Sequence, residues 1–285
     1  MEIELDLKKP FHELVSRIFA AHPRKSGDMH IVKKIIHLSD LHLGYSDCLE
    51  KAERIFQNII KREKTEGTVI IITGDIVDKG ASKEDLVDGL KLLAELRGNG
   101  FTVLLCPGNH DYGTGYLNSA ETAENFRKIY LPEVSGFPRL DIIGNAAFIG
   151  LDSTAGELEW YNRYFADGKL GRKQRLELEK IMADPVIQDK IKVVYLHHHP
   201  IHFLPLMWLK DRKRLRKIIG GKVDVLLFGH LHFGNMYPNA WGIKIVMDGG
   251  SSTGKKALDL FPIKIRHRII DLSDMSVTED NFLLG

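Results

Sequence analysis

The sequence predicts an α/β protein in which helices cover a largely parallel sheet, with a second sheet built from its C-terminal part. Three observations carry that prediction. Six continuous apolar runs, Lys34 to Ser39, Thr68 to Thr73, Phe101 to Cys106, Ala147 to Leu151, Ile191 to Leu196 and Val223 to Phe228, have the length and unbroken hydrophobicity of strands buried on both faces. Helical windows lie between them, the alternation expected of parallel βαβ units. After Gly229 the rhythm changes, because strand candidates at Ile243 to Met247 and Pro262 to Ile270 follow without long helices, which calls for a sheet that is at least partly antiparallel.

In chain order, residues 10 to 21 place Phe11, Leu14, Val15 and Ile18 at i, i+3, i+4 and i+7, one apolar face of a short helix that packs on the domain surface. Residues 22 to 34, with His22-Pro23-Arg24-Lys25-Ser26-Gly27, read as a basic linker, so residues 1–33 form an N-terminal segment and 34–285 the main domain. The helical windows are Asp47 to Glu63, Ser82 to Arg97, Ala120 to Tyr130, Arg172 to Met182 and Asp211 to Ile219; Ser82 and Asp85 have the spacing of a capping box. No internal repeat is present.

Composition narrows the class. With 285 residues, 44% hydrophobic and 27% charged, the chain is neither low-complexity nor disordered and is long enough for a sizeable core. A net charge of +2 gives no support for nucleic acid as an obligate partner. Two cysteines, Cys48 and Cys106, make no disulfide framework, the first residues are acidic where a signal peptide is basic, and no apolar stretch is long enough to span a bilayer. A cytoplasmic location is expected. The histidines stand out: His37, His42, His110, His197, His198, His199, His230 and His232 each lie beside or inside an apolar run.

Five strand ends carry metal-ligand types. They are Asp40-Leu41-His42, Gly74-Asp75-Ile76-Val77-Asp78, Pro107-Gly108-Asn109-His110-Asp111, His197-His198-His199-Pro200 and Gly229-His230-Leu231-His232. Open α/β sheets place their sites at this edge. Singly each is a common turn or boundary residue; five converging clusters are a site. The donors are carboxylate, imidazole and one amide, a set suited to Mn, Fe, Zn, Co or Ni rather than to Ca. Seven ligands exceed one tetrahedral ion and match two metals sharing a carboxylate, the arrangement used for in-line displacement at phosphorus.

The ordered motifs D-x-H, G-D-x-x-D, G-N-H-D, H and G-H-x-H, from about Ile35 to Ser252, resemble the calcineurin-like metallophosphoesterase family. The resemblance implies a four-layer α/β/β/α sandwich of two mixed sheets. It implies that Asp40, His42 and His232 hold one divalent ion, that Asn109, His198 and His230 hold a second, and that Asp75 bridges them. His110 would lie over the substrate phosphate with Asp111 behind it as orienting partner, and Asp78 would lie behind the ligands. Among three consecutive histidines, strand alternation separates His198 from His197 and His199, and relatives carry the ligand two positions before the proline, which selects His198. His37 is expected in the core and His202 near the site edge.

The chemistry so implied is attack on phosphorus by a metal-bridging hydroxide, with His110 as general acid to the leaving alkoxide. The layout is most like the small single-domain cyclic-nucleotide and related phosphodiesterases, so the expected substrate is a small phosphodiester of the cyclic nucleotide or glycerophosphodiester type. A phosphomonoesterase or protein phosphatase is the alternative, followed by a nuclease of the related repair branch and, last, a non-catalytic scaffold. The basic helix 210–217 reads as a solvated face. The N-terminal segment leaves oligomerisation open.

Overall fold

The computed structural model describes residues 31–113, 119–154, 166–201, 207–255 and 267–280. The expected helix at 10–21, most of the linker after it, His202 and the start of the last predicted strand lie outside these residues.

Among the described residues, ten strands form two mixed five-stranded sheets, ordered β10-β9-β1-β2-β3 and β4-β5-β6-β7-β8. In the first sheet, β1 (Lys34–Leu38), β2 (Thr68–Thr73) and β3 (Thr102–Cys106) are parallel, while β9 (His267–Asp271) and β10 (Ser276–Asp280) run antiparallel along the edge beside β1. In the second, β5 (Ala146–Gly150), β6 (Ile191–Tyr195), β7 (Val225–Phe228) and β8 (Ile245–Asp248) are parallel, with β4 (Arg139–Ile143) antiparallel at the edge. The six apolar runs are therefore divided between two sheets rather than gathered in one, and the late strands join opposite sheets. That is the architecture the family resemblance implies.

Strand alternation builds the layers. Ile36, Leu38, Ile70, Ile72, Val103 and Leu105 face outward onto helices α1 (Cys48–Arg62), α2 (Lys83–Gly98) and α3 (Ala120–Tyr130). Ile149, Val194, Leu226 and Val246 face α4 (Gly171–Ala183) and α5 (Arg212–Ile219). The alternate residues, Ile35, Val69 and Leu104 from one sheet with Phe148, Val193, Tyr195 and Val225 from the other, fill the seam between sheets. Each large apolar side chain buried in these layers contributes about 1.5–3 kcal/mol. Local signals agree: Ser82 Oγ accepts the Asp85 N–H at 3.2 Å to start α2, and Ser119 Oγ accepts the Thr122 N–H at 2.9 Å to start α3.

β4 and β10 have no counterpart among the predicted strands. Both are half-exposed edge strands without a continuous apolar run, so their pairing comes from the neighbouring strand rather than from hydrophobic patterning.

Candidate metal centre

The C-terminal ends of β1, β2, β3, β6 and β7 meet across the seam, and the chain is forced into shape there. Asp40, His42, Asp75, His230 and His232 all have positive φ, between 46° and 78°. For residues with a Cβ this region is costly, roughly 1–3 kcal/mol each, and such strain collects at functional sites. Gly108 admits the close approach: a Cβ there would collide with the Asp75 carboxylate and backbone.

Two fully buried clusters result among the described residues. In the first, His232 Nε2 lies 3.2 Å from Asp40 Oδ1 and 3.1 Å from His42 Nε2. In the second, His197 Nε2 lies 3.3 Å from Asp75 Oδ2, 3.0 Å from Asn109 Oδ1 and 3.1 Å from His230 Nδ1. Asp75 Oδ2 is also 3.7 Å from His42 Nε2, so one carboxylate oxygen faces both clusters. Donors about 2.0–2.2 Å from a shared cation sit about 3.0–3.5 Å from each other, and these separations fit that requirement. Asp40–His42–His232 and Asp75–His197–His230 are each a buried trio able to hold an ion.

The supports set the tautomers. His197 Nδ1–H donates to the Thr73 carbonyl at 2.8 Å and His232 Nδ1–H to the Lys255 carbonyl at 2.9 Å, which leaves both Nε2 lone pairs facing inward. His42 Nδ1 has Asp78 Oδ1 at 3.4 Å and the Lys255 ammonium at 3.1 Å. Its Nε2 is free to ligate when Nδ1–H faces Asp78. Asp78 itself pairs with Lys255.

Burial opposes charge on every group here, and the partners decide the outcome. Burial pushes His42 down to about 3 and holds His230 well below the usual imidazole value, so both are neutral. His197 is driven the other way, up to about 10, because Asp75 and Asp40 outweigh its desolvation. Asp40, against its burial, is held below the usual carboxylate value by His232, and Asp75 well below by His197 and His110. A proton on His197 thus stands where a cation would balance two carboxylates.

Two expectations need correction. His198 is not among the grouped donors, which are Asp75, His197 and His230. The His198 backbone N–H donates to Ser153 Oγ at 3.0 Å, its Nδ1 lies 2.8 Å from that same oxygen, and its buried Nε2 makes no hydrogen bond among the described residues. His197 takes the place assigned to His198. Parity explains it: Val193 and Tyr195 face the seam, so alternation brings His197, two residues on, to the seam side, where the ligands meet. Nor does Asp111 orient His110. Its carboxylate accepts the N–H groups of Ile76, Val77 and Gly108 at 2.9, 3.1 and 2.8 Å, clamping the β2 and β3 loops together. His110 Nδ1–H instead donates to the Asp78 carbonyl at 2.8 Å, and its backbone N–H to Asp75 Oδ1 at 2.9 Å. The His110 side chain is 19% exposed, against 6% or less for His42, His197, His232, Asp40 and Asp75.

The other histidines are placed plainly. His37 is fully buried with Nε2 2.9 Å from Thr73 Oγ1, as expected of a core residue, and His199 Nε2 lies 2.9 Å from the Tyr237 hydroxyl. Lys255 is the functional neighbour that sequence reading missed. It follows Gly-Ser-Ser-Thr-Gly with no motif around it, and only the fold returns it to His42.

This fold and this paired His/Asp centre define a metal-dependent phosphoesterase. Residues 33–234 match the profile of the calcineurin-like phosphoesterases, and the chain belongs to that family. It is 27% identical over 230 residues to a probable glycerophosphodiester phosphodiesterase, GpdQ, of Arcobacter nitrofigilis, covering 78% of this chain and 73% of the relative. Its fold is like that of a dimetal phosphatase from Danio rerio, with a TM-score of 0.66 and 12% identity over 89% of this chain and 97% of the other. It is also like that of a purple acid phosphatase, PPD1, from yellow lupin seeds, with a TM-score of 0.60 and 14% identity over 90% of this chain and 52% of that larger one.

Proposed function

We propose that the protein hydrolyses a small phosphodiester, of the glycerophosphodiester or cyclic nucleotide type, with two divalent ions. The observation that carries this reading is Asp75 Oδ2, which faces His42 of one cluster and His197 of the other. Asp40, His42 and His232 would hold one ion, Asn109, His197 and His230 the other, and Asp75 both. The donors suit Mn, Fe, Zn, Co or Ni. Bound there, such ions would neutralise the phosphate oxygens and let water ionise near neutral pH.

The chain's own residues would do the rest. Asn109 and the imidazoles would fix the ion positions, and the buried surroundings would exclude bulk water. His110, with its Nδ1–H anchored on the Asp78 carbonyl, has Nε2 left to move a proton to the leaving oxygen. The diester preference rests on the glycerophosphodiesterase relative and on the motif layout.

The test is hydrolysis of bis-p-nitrophenyl phosphate and p-nitrophenyl phosphate with manganese, before and after chelation, followed by glycerophosphocholine, cyclic AMP and single-stranded DNA. Chelator-sensitive diester hydrolysis is expected. Monoester hydrolysis alone would replace the reading with a phosphatase, and no hydrolysis by metal-loaded protein would replace it with a scaffold.

A further inference from the structure

The outer face of the second sheet carries a groove of about 590 Å³ between α4 and α5. Arg172 and Arg175 line it from α4, and Lys213, Arg214 and Lys217 from α5, against a single carboxylate, Glu179. Leu176, 44% exposed, and Ile218 supply its apolar part. None of these residues belongs to the metal centre.

The charge placement is unusual for a solvated face. Helices α1, α2 and α3 each carry an acidic residue in the first turn, where the helix dipole favours one. Neither α4 nor α5 does; Arg172 stands in the first turn of α4, and Lys213 and Arg214 in that of α5. Elsewhere surface cations pair along their helix, as in Lys51–Asp47, Arg54–Glu50 and Lys128–Glu124. Among the described residues no carboxylate pairs with Arg172, Lys213, Arg214 or Lys217. Lys213 and Lys217 repel at i,i+4, in addition to the adverse dipole. Asp211, the carboxylate nearest these helix starts, is already engaged: it accepts the Leu170 and Gly171 N–H groups and pairs with Arg175. Two helices thus break the same local rule and aim the consequence into one groove. A bound anion would relieve both costs.

We propose that this groove binds a compact polyphosphorylated anion. Arg172 and Arg175 are three residues apart and Lys213 and Lys217 four, about 4.5–6 Å of helix, so the facing cations suit two or three linked phosphoryl groups rather than one anion or a long nucleic-acid strand. Nucleoside triphosphates and inorganic polyphosphate share that chemistry, and Leu176 and Ile218 are placed to meet a nucleoside if one is attached.

The experiment is calorimetric titration of the metal-loaded protein with tripolyphosphate, the β,γ-methylene analogue of ATP, and AMP at physiological salt. Micromolar binding of the first two and at least about tenfold weaker binding of AMP are expected. Lys213→Glu/Lys217→Glu should weaken polyphosphate binding at least about tenfold, leave bis-p-nitrophenyl phosphate hydrolysis unchanged and raise the melting temperature without ligand. Arg172→Gln/Arg214→Gln, which keeps the groove shape, should weaken binding about threefold or more. Equal affinity for the two probes identifies the phosphate chain as the ligand; tighter binding of the analogue identifies the nucleoside form. Affinity unchanged in both variants, which would locate the binding at the metals, or no binding tighter than millimolar in the parent protein, overturns the proposal.

Discussion

The two His/Asp clusters are held in different ways. His197 of the second hangs from a β-strand carbonyl, Thr73, and its cluster is enclosed by strand ends from both sheets. In the first, His42 and His232 both depend on one residue of a loop: the Lys255 carbonyl orients His232, and the Lys255 ammonium stands between His42 and Asp78. One cluster is fixed by a strand carbonyl, the other by the main-chain carbonyl and the ammonium of a single loop residue. The second should therefore be the more preformed, and the first the more responsive to substitutions outside the ligands.

Asp75→Asn removes the oxygen common to both clusters, and metal analysis should show both ions lost, with diester hydrolysis down by on the order of 10³-fold or more. Next in size is the contrast between neighbours. His197→Ala should lose one ion and about 10²-fold or more in kcat. His198→Ala should keep both ions and forfeit only packing and the Ser153 bond. Equal metal loss in the two variants would erase the distinction drawn between them.

Lys255→Ala probes the first cluster alone. It should weaken one of the two metal-binding steps by about 10–100-fold and leave the other unchanged. Asp111→Asn, by contrast, disturbs neither cluster directly but leaves one or more of three buried N–H groups without an acceptor. Denaturant unfolding should show about 1–3 kcal/mol lost, with metal content intact.

The comparison also predicts a pH dependence. In the metal-free protein Asp75 and Asp40, against desolvation, raise His197 to about 10 from its usual 6.5, so its stabilising contribution is full below 6.5 and fades as pH climbs toward 10. Thermal unfolding of chelated protein should weaken across that window. Metal-loaded protein should weaken less, because an ion takes over the balance of charge, and loading should release close to one proton below pH 10.

Much of this was legible in residue order. Strand ends supply the candidate ligands because β/α alternation delivers them to one edge, and Asp40, His42, Asp75, Asn109, His230 and His232 reach the centre from motifs visible in the chain. The failures have physical sources. Alternation separates His197 from His198 but does not say which parity faces the seam until Val193 and Tyr195 are seen packing between sheets. Asp111 adjoins His110 in sequence, yet its carboxylate turns to backbone donors, while Asp78, far away in the chain, supplies the carbonyl that holds the ring. Lys255 had no local signal, since a lysine after a glycine-rich turn acquires its role only when the β8 loop folds over His42.

The most direct test is anomalous diffraction from crystals loaded with manganese. Two peaks about 3.5–4 Å apart are expected, one on each side of Asp75, with Nε2 of His197 coordinating the second and the His198 ring on Ser153. A single peak, or coordination by His198 with His197 turned away, would contradict the account.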